Sequence, residues 1–173
     1  LFCASVRDEI MFGPLTIGLS LSEARERAED LLELFGLAAL ADRLPHHLSG
    51  GEKKKTALAA VLAVGPEVLI LDEPTNGLDP RTQRWMIETL NQLAAAGKSI
   101  VISTHHLDIV PELADRVSVM DSSHTIVAEG RPLEILENRD LLLAANLVDE
   151  GYHVHLHGED RHVHTHRHFP TGQ

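Results

Sequence analysis

From Ser22 to Leu37, apolar residues at Ala24, Ala28, Leu31, Leu32 and Phe35 recur at helical spacing behind an S-x-x-R start, and Gly36 punctuates the end. The pattern predicts a helix over this stretch. Three further helices are expected from Ser49 to about Val64, from Pro80 to about Ala96 and from Pro132 to about Asn146, each entered through Ser or Pro. Between them lie short apolar runs, Val68–Leu71 and Ile100–Ile102, which read as strands covered on both faces by helices. Arg116–Met120 and Thr125–Ala128 complete the set of strands. Alternating helix and strand implies an α/β layered fold. No internal repeat is visible, and the only compositionally biased segment follows Gly151.

Charge narrows the partners. The 173 residues carry 15 basic and 26 acidic side chains, a net charge of −11, which argues against a nucleic-acid backbone as the main partner. Apolar residues make up 43% of the chain. A chain of this size buries about 70% of its unfolded surface, so a packed core is feasible. The aromatic residues are few (Phe2, Phe12, Phe35, Trp85, Tyr152 and Phe169), so the core must be aliphatic and base-stacking platforms are not expected. Cys3 is the single cysteine, which excludes an intrachain disulfide and fits a reducing compartment. No apolar run approaches the roughly 20 residues that span a bilayer. The first residue is Leu1, and no signal-peptide order follows it, so the sequence reads as a cytosolic fragment.

Candidate chemistry sits at the element boundaries. Leu48-Ser49-Gly50-Gly51-Glu52 stands at the start of a lysine-rich helix, where backbone N–H groups and the positive end of the helix dipole can receive an anion. The same residues also read as an ordinary S-x-x-E capping box. The strand Val68–Leu71 runs into Asp72-Glu73-Pro74. A buried parallel strand delivers such a carboxylate pair to the ligand edge of its sheet, where one can hold Mg²⁺ and the next orient or deprotonate a water. Pro74 biases Glu73 toward an extended conformation at the strand tip. Asn76-Gly77-Leu78-Asp79-Pro80 is a turn leading into a helix, and Ile102-Ser103-Thr104-His105-His106 ends the second apolar strand with imidazoles. Parallel neighbours would bring these groups to one rim, where a histidine can position a terminal phosphate.

Taken together, these segments resemble the ATP-binding-cassette (ABC) ATPases: Leu48–Glu52 as the signature motif, Val68–Glu73 as Walker B, Gly77-Leu78-Asp79 as the D-loop and His105 as the switch histidine, all in the family's order. Leu1-Phe2-Cys3 with Glu9, Phe12-Gly13-Pro14-Leu15, Gly50–Lys54 and the terminal histidines are similar to the cobalt/nickel energy-coupling-factor transport ATPases. Lys55 stands where such proteins often have Arg. The resemblance implies an incomplete P-loop NTPase-like layered fold with a helical signature subdomain. It also implies that Asp72 organises Mg²⁺, Glu73 polarises water, His105 contacts the γ-phosphate, and Leu48–Glu52 with Asp79 meet ATP, Ser49 and Gly51 reaching nucleotide held mainly by a facing subunit. Implied partners are that second ATPase subunit, as homodimer or heterodimer, and a transmembrane subunit met by residues 1–20, which places the protein on the cytoplasmic face of the membrane. The corresponding division is 1–64 for the signature subdomain, 65–130 for the Walker B, D-loop and switch-histidine part, 131–150 for a C-terminal helix and 151–173 for the tail.

A phosphate-binding loop, G-x-x-x-x-G-K-[ST] after a strand and before a helix, does not occur in this sequence. Gly97-Lys98-Ser99 follows a helix and precedes a strand, and Gln92 stands where the first glycine is required, so Gly97 reads as a helix C-cap. In the family that loop and the Q-loop glutamine lie upstream of the position of Leu1, and the isolated chain is not expected to hydrolyse ATP. In the tail, His153, His155 and His157, then His162, His164, His166 and His168, alternate strictly, and neutral imidazole suits Ni²⁺ or Co²⁺. Same-face neighbours on one straight strand lie roughly 6–7 Å apart, so a mobile tail folding around an ion is the expectation. The leading reading is the ATPase subunit of a cobalt or nickel importer. The alternatives are a metal-binding or storage module that uses only the tail, and a non-transport cassette ATPase.

Overall fold

A computed structural model describes residues 1–149 and the backbone of residues 152–157 and 160–165. Packing divides the chain into two units, Leu1–Ser103 and Thr104–Gln173. The first unit holds α1 (Val6–Thr16), α2 (Leu21–Leu34), α3 (Gly50–Ala63), β1 (Val68–Asp72), α4 (Pro80–Ala95) and β2 (Ser99–Ser103).

Helix α2 starts one cap earlier than the S-x-x-R pattern suggests. Ser20 is the N-cap: its hydroxyl accepts from the Glu23 amide at 3.3 Å, and the Glu23 carboxylate accepts from the Ser20 amide at 2.9 Å. Glutamate at that position closes the reciprocal box because it can accept an N–H, whereas the Arg25 that follows Ser22 cannot. The expected stripe is the buried one, with Ala24, Ala28, Leu32 and Phe35 in the core and Gly36 closing the helix at φ +65°. Helix α1 has no counterpart in the apolar pattern, because Gly13 and Pro14 lie inside it. Gly13 is required by packing. A Cβ there would stand 2.6 Å from Val64 Cγ2, at the end of α3.

Strands β1 and β2 pair in parallel from Val68↔Ser99 through Asp72↔Ser103. One face carries the buried Leu69 and the partly buried Leu71, Ile100 and Ile102, while α4, which packs along β2, buries Met86, Ile87 and Leu90. The other face is bare among the described residues of this unit: Ile70 is 80% exposed, and Val68 and Val101 are exposed beside it. The expectation of strands covered on both faces is therefore met on one face only. The apolar runs are continuous because the sequence is written for two covered faces, and among the described residues of this unit α4 covers one of them.

The second unit holds α5 (Val110–Leu113), β3 (Val117–Met120), β4 (Ile126–Gly130), α6 (Pro132–Glu137), α7 (Arg139–Ala144), β5 (Tyr152–His157) and β6 (Asp160–Thr165). Strands β3 and β4 form their own antiparallel pair, with a register shift at Val119/Met120, around a turn gathered by Asp121, whose Oδ1 accepts from the Ser123 and Thr125 amides. Val119, Ile135, Leu142 and Ala145 form this unit's core. The single helix expected over 132–146 is two. Asn138 leaves helical geometry at ψ 78°, and its side chain caps the Leu141 amide at 3.1 Å, so the chain restarts there. The alternating tail forms an antiparallel hairpin of β5 and β6. His166 and His168 lie outside the described residues.

Leu32→Ala should cost about 2–5 kcal/mol, as a cavity in a packed aliphatic core does, whereas Leu34→Ala, at a residue 71% exposed, should stay within about 0.5 kcal/mol. Urea unfolding midpoints of the two variants check this.

Candidate functional site

Helix α3 begins at Ser49, whose hydroxyl accepts from the Glu52 amide at 3.3 Å while the Glu52 carboxylate accepts from the Ser49 amide at 2.7 Å. The capping box and the anion-receiving helix start are thus one structure. The Ser49 backbone bond, with the Ser49 hydroxyl second, holds the Glu52 carboxyl below its ordinary range. The two glycines differ in their surroundings. Gly50 opens onto free space, and a Cβ on Gly51 would lie 3.1 Å from Thr82 Cγ2, so Gly51 is where α3 passes the start of α4. Leu48 is buried, so its side chain anchors the motif and only its backbone is available to a ligand.

Asp79 caps α4. Its Oδ1 accepts from the Arg81 and Thr82 amides at 3.1 and 3.0 Å, and its Oδ2 accepts from the Thr82 hydroxyl at 2.6 Å. These bonds, the Thr82 hydroxyl foremost, lower its pKa. Thr82 therefore touches both motifs, through its hydroxyl to Asp79 and through its methyl to Gly51.

At the strand tips, Asp72 and Ser103 are register partners on the bare face, and the Ser103 hydroxyl donates to Asp72 Oδ1. Glu73 extends the ladder by one bond, its amide donating to the Ser103 carbonyl at 2.9 Å. Its backbone is not extended as the Pro74 rule suggests. Glu73 has φ +44°, a left-handed geometry that costs about 1–3 kcal/mol in a non-glycine residue and persists only where the surroundings impose it. What imposes it is a turn in which the Asn76 amide donates back to the Glu73 carbonyl at 3.2 Å, closed over the side chain of Lys54. The Lys54 ammonium donates to the carbonyls of Glu73, Pro74 and Asn76 at 2.9, 3.0 and 2.6 Å. Burial pushes the Lys54 pKa down, and the nearby Glu73 charge opposes that.

The three consecutive lysines have separate environments. Lys53 is exposed, Lys54 holds the turn, and Lys55 sits 4.3 Å over the Trp85 ring, which itself stacks edge-on against Phe35 at 5.2 Å. Lysine at 55 thus makes a cation–π contact. The roles of Lys54, Thr82 and Ser103 were not read from the sequence. The signal for Ser103 was present, since it is a polar residue at the end of an apolar strand.

His105 lies two residues beyond β2 and belongs to the second unit, where its ring faces that of His106 at 4.4 Å. The structure therefore brings Asp72, Glu73 and Ser103 to one strand edge, and sets Ser49–Glu52 and Asp79 at two helix starts that meet through Thr82. In the tail, β5 and β6 place His153 opposite His164, His155 opposite His162 and His157 opposite Asp160.

Comparison with known proteins finds ABC transporter proteins similar to this chain. Residues 4–76 match the family described as ABC transporter. A Methanosarcina acetivorans protein bearing an ABC transporter ATP-binding name is 47% identical over 159 residues, 92% of this chain and 57% of that protein. The energy-coupling factor transporter ATP-binding protein EcfA of Methanothermobacter thermautotrophicus is 44% identical over 147 residues, 85% of this chain and 47% of its own length. Among solved structures, CbiO1 of Clostridium perfringens, part of the ABC transporter complex CbiONQ, aligns with a TM-score of 0.69 and 38% identity over 85% of this chain and 59% of that one. The chain thus spans about half to three fifths of the length of these relatives.

Gly50→Ala should leave the melting temperature unchanged or raise it slightly, since a helix-start alanine meets no neighbour, whereas Gly51→Ala should lower it by pressing on Thr82. Ser49→Ala should cost about 1 kcal/mol. Because the folded-state pKa of Glu52 is depressed, the box stabilises above the ordinary glutamate range and is lost as pH falls through the folded value. Thermal melts between pH 7 and pH 3 should therefore show a shallower acid limb in Ser49→Ala than in the parent.

Proposed function

The chain belongs to the ABC transporter ATP-binding family, and from that premise we propose that the whole protein is the ATP-hydrolysing subunit of an energy-coupling-factor-type importer of cobalt or nickel. The observation that carries this is the first unit's pairing of a carboxylate-tipped parallel strand with a glycine-led, capped helix start, in the order the family uses. Glu73 is the base that orients or deprotonates the attacking water, held at the strand tip by the Ser103 carbonyl and the Lys54 turn. Asp72 is the Mg²⁺-organising carboxylate. An exposed oxygen donor beside a serine hydroxyl is a hard-ligand set that fits Mg²⁺, which when bound to ATP neutralises charge on the phosphates. Ser49, Gly50 and Gly51 present the anion-receiving helix start, Asp79 sets the D-loop, and His105 contacts the terminal phosphate.

The bare face of β1 and β2 supports a further segment in the whole protein. Val68, Ile70 and Val101 are apolar and exposed on the same face as Asp72, so a strand or helix carrying the phosphate-binding loop would cover them and bring its loop to the carboxylates. The membrane partner fits the exposed apolar side chains in and beside the first helix. Phe2, 73% exposed, stacks edge-on with the half-exposed Phe12 at 5.0 Å, and Leu15 and Ile17 are exposed near them in sequence. Among the described residues no helix is long and apolar enough to cross a membrane, which fits peripheral attachment to a transmembrane subunit on the cytoplasmic side. Relatives support the transporter class: EcfA is an energy-coupling factor transporter protein by name, and CbiO1 is part of the ABC transporter complex CbiONQ. Cobalt or nickel as cargo follows from the sequence resemblance and the histidine-rich tail.

A second reading is favoured by the tail register: the tail binds the cargo ion, either to gather it for import or, in the storage-module alternative, to hold it. Directly opposed residues of an antiparallel pair have Cα atoms about 4.5–5.5 Å apart, nearer than same-face neighbours along one strand. His153/His164 and His155/His162 are register partners, so their backbone positions are nearer to one another than the strict alternation along one strand suggested.

Phosphate release should be absent from the 173-residue chain, present in a chain extended upstream through a phosphate-binding loop, and at least about a hundredfold lower in the extended Glu73→Gln form. Equal turnover with and without Glu73 would overturn the assignment. Calorimetric titration of the chain with Ni²⁺ and Co²⁺ should give micromolar binding that weakens at least about tenfold in the His155→Ala/His162→Ala double variant. Millimolar or weaker binding of both ions would retire the metal reading.

A further inference from the structure

Lys54 joins the helix bearing Ser49–Glu52 directly to the turn bearing Glu73. An ammonium carries three protons, and here each has a backbone carbonyl, from Glu73, Pro74 and Asn76, at 2.9, 3.0 and 2.6 Å. Three carbonyl dipoles converging on one point repel one another unless a cation sits among them, so the turn's shape depends on that charge. The turn is also a strained one, since Glu73 has φ +44°. Backbone bonds from the Glu73 amide to Ser103, the Asn76 amide to Glu73 and the Leu78 amide to Thr75 run within the turn or to β2, and the Lys54 bonds tie it to α3. The neighbouring lysines act as internal controls. Lys53 is exposed and Lys55 rests on Trp85, so position alone does not produce the contact.

We propose that Lys54 is a positioning residue that makes the start of α3 and the Glu73–Asn76 turn move as one body, and thereby couples two nucleotide sites. The inference rests on the ATPase reading above. In that reading, Ser49 and Gly51 of one subunit touch the nucleotide held by the facing subunit, while Glu73 of the same subunit works on its own nucleotide. A displacement of α3 on closure is passed through the Lys54 ammonium to the carbonyl of Glu73, and so to the placement of its carboxylate. Asn76, the third anchored carbonyl, lies three residues before Asp79, so the D-loop is carried along with the same movement. A hydrophobic side chain of similar length at position 54 would keep the packing and release the turn.

The test has two arms. In the 173-residue chain, Lys54→Met should accelerate amide hydrogen exchange in residues 73–78 by at least about tenfold and leave α1 and α2 unchanged, while Lys53→Met changes neither. In the chain extended through a phosphate-binding loop, Lys54→Met should lower kcat by about tenfold or more with KM for ATP held within about twofold, and should reduce the cooperativity of ATP hydrolysis toward a Hill coefficient of about 1. Lys54→Arg, which retains the charge and several donors, should restore both in large part. Unchanged exchange in residues 73–78, or an unchanged kcat and Hill coefficient in Lys54→Met, would overturn the proposal. If the extended parent itself shows no turnover, the ATPase reading fails, and the exchange arm still decides whether Lys54 anchors the turn.

Discussion

The in-register parallel pairing of Val68–Asp72 with Ser99–Ser103 is the constraint on which the site depends. Parallel strands that finish side by side deliver their last residues to one edge. Here that edge receives Asp72, the Ser103 hydroxyl that donates to it, and Glu73, whose amide donates one more bond to the Ser103 carbonyl. A slip of β1 by one residue would move Asp72 to the α4 side and bring Leu71 out to the bare face. Leu69, buried against slippage, therefore fixes the position of a carboxylate three residues away.

At the start of α3 the residues that cap the helix are the same ones proposed to meet the nucleotide. Ser49 and Glu52 satisfy each other's amides, which is sufficient reason for an S-x-x-E sequence in any helix. Gly50 has no such structural reason, since a Cβ there meets nothing, and a glycine there leaves the backbone open to the close approach that the proposed nucleotide contact needs. Gly51 has both reasons, because Thr82 lies against it and the helix dipole begins there. Thr82 in turn donates to Asp79, so the cap of α4 and the start of α3 are adjusted together.

Much of this was legible in the amino-acid pattern. The stripe Ala24, Ala28, Leu32 and Phe35, the strand ending at Asp72, the proline-started α4 and the glycine cap at Gly97, φ +90°, follow from periodicity and end signals. Other features were not legible, for identifiable reasons. Helix α1 carries Gly13 and Pro14, which local propensity scores against a helix, and it forms because a gap at Gly13 admits Val64. The break at Asn138 depends on a side-chain cap that competes with continued helix. The left-handed Glu73 contradicts the local effect of Pro74 because Lys54, nineteen residues earlier, gathers the carbonyls around it. The open face of β1 and β2 could not be read either, since an apolar run states that cover is needed and not that the described residues provide it.

The central claim is that the strand tip at Asp72–Glu73 and the helix start at Ser49–Gly51 are two halves of a nucleotide clamp closed between subunits. The most direct measurement is size-exclusion chromatography of the Glu73→Gln form, extended upstream through a phosphate-binding loop, with and without Mg²⁺ and ATP. The account requires a dimer that appears only with nucleotide and is lost when Ser49→Arg is added. A protein that binds ATP and stays monomeric, or a dimer indifferent to Ser49, would contradict it.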